Sequence, residues 1–312
     1  MLTDKNNKTC KAVYAVVAVP GSPFLNWAAA SAYVAKNVSG LSSASLCTDQ
    51  STLDLAKATN HHILKVFDEI AVVADFKGTA RERSRWVKTQ VRSMVDGDLL
   101  FIDADAVPVG SLAEMFTHEK DFALTLAEAP FSAIASWYVP AAAKLAWKID
   151  HHYHYTSGVF FLKDSARTRE FGAAWNRKWM EWRTIDNSGV LADQPAFNSA
   201  VFETSLKTLT LPAKFNLFLN TASRGYQDAR MFHYPASTRR TRFSLLETLS
   251  QQLAQTGECD LELVRRAHET GNPWTASTLL VRRDYMLSSA RVFATSQLRR
   301  RLPHSYRSFF VR

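Results

Sequence analysis

Cysteine is scarce in this chain: Cys10, Cys47 and Cys259 are the only three in 312 residues, an odd number set far apart. Such spacing excludes a disulfide framework and points to a reducing compartment. Long apolar runs are missing too. The most apolar early stretch, Ala12 to Pro20, is about half the length a bilayer span needs. A polar MLTDKNNKTCK precedes it, so neither a signal peptide nor a membrane-spanning helix is expected and the chain reads as cytoplasmic. Neither an internal repeat nor a low-complexity linker interrupts the sequence, which excludes a solenoid. Lysine is absent from Arg239 onward, where thirteen arginines face six acids.

What is present is an ordinary globular composition, 46% apolar and 21% charged, with enough chain for one large domain or two small ones. The net charge of +9 is concentrated at one end. A basic tail of this kind attracts anionic partners: a membrane surface, a nucleic acid or a charged substrate. No nucleic-acid-binding motif accompanies the charge, so no nucleic-acid partner is expected. The tail's final stretch, RRRLPHSYRSFFVR, mixes arginine with aromatics and suits peripheral attachment to the anionic inner face of a membrane.

Periodicity predicts alternating strands and helices. KAVYAVVAVP (11–20) reads as a strand, Phe24 to Lys36 as a helix, Ala44 to Thr48 as a strand, Leu53 to Ala58 as a helix and Glu69 to Val73 as a strand. Thr79 to Val95 reads as one amphipathic helix. Strands follow near Phe122 to Leu126 and Thr156 to Leu162, a helix from Ala166 to Trp182, another beginning within Leu191 to Val201, and a short strand at Leu209 to Leu211. That alternation argues for a mainly parallel α/β sheet flanked by helices. Phe171, Trp175, Trp179 and Trp182 fall on one helix face and read as core.

The stretch that carries chemistry is Asp98 to Val107. Four apolar residues, Leu99 to Ile102, end in Asp103 and Asp105. A strand covered on both faces reads this way, and ligands of open α/β sheets bind just outside such strand ends. Two carboxylates there suit a hard divalent cation, Mg²⁺ or Mn²⁺, that leaves positions open for substrate phosphates. Acidic pairs also occur in ordinary turns, so the flanking apolar run is what distinguishes this one.

Together with TSGVFFL (156–162), ADQPAFN (192–198) and MFHYP (231–235) in this order, the D-x-D strand makes residues 11 to 240 resemble the GT-A fold nucleotide-sugar glycosyltransferases, most of all the retaining family 8 type. The resemblance implies a metal-dependent hexosyltransferase with a nucleotide diphosphate sugar donor, UDP-sugar favoured, and a saccharide or lipid-linked glycan acceptor. It assigns Asp103, Asp105 and His233 to the metal and Asp193 and Gln194 to the catalytic centre. Val19 and Pro20, Arg85 and Lys88, Ser157 and Gly158, and Arg239 fall to the donor. Ala236 and Arg239 stand where the family has glycine and lysine, and the first loop, Val19-Pro20-Gly21-Ser22, lacks the family's usual acid.

Each of these residues has a plainer reading. His233 after Met-Phe is equally a buried histidine bonded to backbone; Asp193 is equally a helix N-cap; the Arg85 and Lys88 charges are equally a solvated helix face. His151, His152 and His154 fit no standard zinc spacing and read as acceptor-side surface or structural residues. Trp137, Tyr138 and Trp147 suit either a sugar platform or core. A sugar nucleotidyltransferase is the same-fold alternative, and a non-enzymatic anionic-surface binder the alternative of another class. The expected division is residues 1–238 as the catalytic domain and 239–312 as a basic, mainly helical extension.

Overall fold

The computed structural model describes residues 10–59, 61–127, 131–186, 192–219, 226–235, 243–277, 279–284 and 286–287. In chain order the elements are β1 (Lys11–Val16), α1 (Phe24–Val38), β2 (Ser43–Thr48), α2 (Gln50–Thr59), α3 (His61–Leu64), β3 (Glu69–Val72), α4 (Ala80–Thr89), α5 (Val91–Met94), β4 (Leu99–Ile102) and β5 (Ala106–Pro108). There follow β6 (Phe122–Leu126), α6 (Phe131–Lys144), β7 (Tyr155–Leu162), α7 (Ala166–Ile185), α8 (Gln194–Glu203), β8 (Thr208–Leu211), β9 (Leu217–Phe218), β10 (Met231–His233), α9 (Leu245–Thr256) and α10 (Leu261–Thr270).

Seven strands form one sheet in the order β3-β2-β1-β4-β7-β6-β8. It is mostly parallel; β7 alone runs against both of its neighbours, β4 and β6. All four residues of β4 are buried because the sheet is covered on both faces. Leu100 and Ile102 pack with α1 and α9, whereas Leu99 and Phe101 pack with the layer that holds α4, α7 and α8. Alternate side chains of a strand point to opposite faces, so a continuous apolar run is what such a strand requires.

The antiparallel β7 matters for the site. Its register sets Val159 opposite Ile102, and the Asp103 N–H donates to the Gly158 carbonyl at 2.8 Å. The start of β7 therefore lies beside the end of β4, and Thr156-Ser157-Gly158 shares a sheet edge with Asp103. A second, three-stranded sheet, β5-β10-β9, is set at that same edge. Within it β10 runs antiparallel to β5 and places His233 opposite Ala106, next to Asp105.

Where one helix was expected over Thr79 to Val95, two stand, α4 and α5, joined at Gln90. There the Gln90 N–H bonds to the Val87 carbonyl and the Ser93 N–H to that of Gln90, a tightening to three-residue turns. α4 begins at a capping box in which Thr79 and Glu82 satisfy each other's backbone N–H. The tryptophan stripe of α7 is core: Phe171, Trp175, Trp179 and Trp182 are all buried.

Candidate active site

Asp103, Asp105 and His233 come together at the sheet edge, each offering a ligand atom within 4.8 Å of the others'. Each is placed by a different device. Asp103 is carried by the end of β4, Asp105 by the turn into β5, whose Asp105 carbonyl accepts from the Tyr234 N–H, and His233 by β10. Nε2 of His233 lies 3.2 Å from an Asp105 carboxylate oxygen. Its other nitrogen, Nδ1, donates to Oδ1 of Asn216 at 2.8 Å, and the Asn216 amide N in turn donates to Thr125. This fixes the tautomer and leaves the Nε2 lone pair for a cation, as an outer-shell partner does for a metal-ligating histidine. Phe218 stacks on the ring, 4.3 Å between centroids.

Two features fit this set to a hard divalent cation. One is the donor chemistry: two carboxylate groups and one imidazole, with a third carboxylate, Asp193, nearby on Lys88. The other is the space. A Cβ on Gly158 would lie 2.7 Å from His233 Cε1 and 3.0 Å from an Asp103 oxygen, so a side chain there would occupy the ground on which the ligands converge. Burial pushes the Asp103 carboxyl above its ordinary range; Lys88 opposes that push and Asp105 adds to it. Carboxylates crowded in this way are relieved by a bound cation.

The bland reading of His233, a histidine bonded to backbone, is not what is seen, since its polar contacts are side chains. Nor does Asp193 cap α8. It stands at the N-cap position but makes no capping bond; its carboxylate faces Lys88 at 3.3 Å and Arg85 at 3.3 Å. Burial disfavours its charge, but Lys88, Arg85 and the Ser157 hydroxyl outweigh that and hold it below the usual carboxylate range. Lys88 is itself buried and sits between Asp193 and Asp103, 3.0 Å from the latter. Its side chain is spent on two carboxylates and is no part of a solvated helix face.

These groups line one cleft of about 590 Å³. Val16, Val17, Val19, Ser22 and Phe24 wall it from β1 and the following turn, Arg81, Ser84, Arg85 and Lys88 from α4, and Ser157, Gly158, Asp193 and Gln194 from β7 and α8. Of the two loop residues expected here, Val19 reaches the cleft; Pro20 is exposed in the turn beside it. Arg239 lies outside the described residues.

The histidine-rich stretch divides. His151 and His152 are exposed, while His154 is buried and its Nε2 lies 2.7 Å from the Gln194 amide nitrogen. These residues precede β7 outside any strand. The aromatic group divides as well: Tyr138 and Trp147 are buried and Trp137 is 46% exposed. Sequence reasoning missed Asn216 and the pairing of His154 with Gln194. No motif marks either; both depend on which loops the two sheets bring together.

No protein family and no curated protein sequence matches the chain. Solved structures do. The bifunctional glycosyltransferase WbbM, in its apo form, superposes with a TM-score of 0.51 at 11% identity over 75% of this chain and 47% of its own. The chain thus spans about half the length of that protein. Mouse xyloside xylosyltransferase 1 gives 0.47 at 12% identity over 73% and 98% of the two chains. The galactosyltransferase LgtC, in complex with donor and acceptor sugar analogs, gives 0.47 at 13% over 72% and 87%. At such identities the likeness to WbbM is one of fold, and the fold is GT-A: a mostly parallel seven-stranded sheet between helical layers.

Proposed function

We propose that this chain is a metal-dependent glycosyltransferase that moves a hexose from a nucleotide diphosphate sugar, a UDP-sugar by preference, to a saccharide or lipid-linked glycan acceptor with retention of anomeric configuration. The observation that carries the reading is the convergence of Asp103, Asp105 and His233 in a cleft that also takes in Arg85, Asp193 and Gln194. Retention and the family 8 relation rest on the sequence resemblance.

Each residue has a task in that reaction. Asp103, Asp105 and His233 would hold Mn²⁺ or Mg²⁺, which when bound supplies Lewis-acid stabilisation to a departing diphosphate. Lys88 bridges Asp103 and Asp193, fixing the metal side and the sugar side of the cleft relative to each other. Arg85 positions Asp193 from the cleft wall and with Arg239 serves the donor's anionic and hydroxyl oxygens, guanidinium being suited to bidentate contact. Val19 and the apolar end of β1 face the base; Ser157 and Gly158 floor the sugar subsite. Gln194 lies under the anomeric carbon and stabilises positive charge as it develops there. A front-face route needs no protein nucleophile, because the leaving diphosphate accepts the acceptor's proton.

Thermal-shift screening of nucleotide sugars with and without Mn²⁺ tests the reading. A nucleoside diphosphate sugar should raise the melting temperature only when Mn²⁺ is present, and the effect should vanish in the Asp103→Ala, Asp105→Ala double variant. Stabilisation that survives unchanged in that variant would detach the carboxylates from the donor and overturn the reading.

A further inference from the structure

Gln194 has a side chain with two unlike ends, and which end faces the cleft decides what it can do. A carboxamide oxygen turned toward an oxocarbenium-like carbon stabilises it; a carboxamide NH₂ turned the same way opposes it. Among the described residues the polar side-chain partner of the Gln194 amide is His154, whose Nε2 lies 2.7 Å from the amide nitrogen. The ring is 5% exposed, and among the described residues its Nδ1 has no hydrogen-bond partner.

Packing and hydrogen bonds enclose this pair. Tyr138 sets its ring edge-on to His154, 5.7 Å between centroids, and donates its hydroxyl to the Pro195 carbonyl. The His154 carbonyl accepts from the Ala127 N–H. Asn198 accepts from the Tyr155 N–H and donates to the carbonyls of Tyr155 and Gln194. Asn198 thereby fastens α8 to the start of β7 at two points, and the Gln194–His154 contact adds a third. Burial also keeps the imidazole neutral, lowering its pKa to about 4, and a neutral imidazole has one accepting and one donating nitrogen.

We propose that His154 is a positioning residue: its Nε2 accepts from the Gln194 carboxamide NH₂ and so turns the carboxamide oxygen into the cleft. The inference rests on the transferase reading, in which Gln194 faces the sugar, and adds a residue that does not line the cleft itself. It requires the proton on Nδ1. The opposite tautomer would donate from Nε2–H to the amide oxygen and present NH₂ to the sugar.

Two measurements decide it. Long-range nitrogen–proton NMR correlation on the wild-type chain at neutral pH reports which imidazole nitrogen of His154 carries the proton; Nδ1 is expected, and Nε2 would overturn the proposal whatever the enzyme's activity. Steady-state transfer by His154→Phe and His154→Gln, each shown by circular dichroism to be folded, then tests the role. The Phe variant, lacking an acceptor, should lose about tenfold or more in kcat with donor KM little changed, and the Gln variant, which restores an acceptor, should recover most of it. A Phe variant as active as wild type overturns the proposal alone. A wild-type chain that neither binds nor turns over any nucleotide sugar overturns the transferase reading, and this proposal with it, while the NMR result still reports the tautomer.

Discussion

At the scale of single residues the site is built from groups that would be costly anywhere else. Gly158 shows this most directly. With a Cβ only 2.7 Å from His233 Cε1, Gly158→Ala has to push the imidazole off the triad, and overpacking of this kind costs about 1–3 kcal/mol. We expect a modest drop in melting temperature together with a large loss of Mn²⁺ affinity, read by calorimetric titration; unchanged Mn²⁺ binding would place the ion elsewhere. His154 gives a prediction in pH. Its pKa of about 4 in the fold stands below the ordinary 6.5 because burial penalises the charged ring. Between those two values the unfolded chain binds the extra proton, so the contribution of this residue is complete above pH 6.5, falls as pH falls, and is gone below pH 4. The slope is about 1.4 kcal/mol per pH unit, an upper total on the order of 3 kcal/mol. Urea unfolding of wild type and His154→Phe at several pH values checks it. The difference between their stabilities should change across that window, and a constant difference would show a ring that titrates normally.

At the scale of elements, what was legible in the sequence was whatever is local. β4 announced itself because a strand buried on both faces has no polar positions, and Asp103 and Asp105 stood out against it. The α7 stripe was legible for the same reason: periodicity reports burial. Pairings between elements were not. β5 and β10 are three residues long, too short to carry a period, yet their register is what brings His233 to Asp105. Asn216, which orients that histidine, sits between a 3₁₀ turn and β9 with nothing around it to mark a site. The join at Gln90 was hidden as well, since Val87, Val91 and Val95 continue one apolar face through it. The orientation of α8, which carries Asp193 and Gln194, depends on Phe197, buried among Phe122, Phe160, Phe171 and Trp175 with ring centroids between 5.1 and 5.7 Å away. Phe197→Ala should cost about 3–5 kcal/mol, lowering the denaturant midpoint without changing m, and should weaken donor binding because the first turn of α8 loses its anchor. Phe171→Ala, in the same cluster but on α7, serves as the control. Equal losses of donor affinity in both would mean that the cluster holds the whole domain and does not aim α8 in particular.

At the scale of the whole molecule, the region after residue 239 divides into a packed part and a basic part. Its first part is built into the core on one face of the sheet: Leu245, Leu246, Leu249 and Leu253 of α9 are buried in the cluster that contains α1 and β4, and the Trp27 indole donates to Glu247 across that contact at 2.7 Å. No helix among the described residues is long and apolar enough to cross a membrane. The charge lies further on. Residues 288–312 hold six arginines and no acid, with Phe293, Tyr306, Phe309 and Phe310 among them; they lie outside the described residues. Arginine attracts anionic headgroups at about 1 kcal/mol per residue near the surface, and aromatic side chains settle at the interface between headgroup and chain. A lipid-linked acceptor would then meet the cleft at the surface where it resides, and the net charge of +9 would be placed where it favours binding. Flotation with liposomes tests this. The full chain should float with anionic vesicles and much less with neutral ones. Binding should fade as salt shortens the reach of surface charge, and a chain cut after Leu298 should lose most of it while keeping its melting temperature. Equal flotation of the two forms would assign the arginines another anionic partner, the diphosphate donor itself being the first to examine through Arg239.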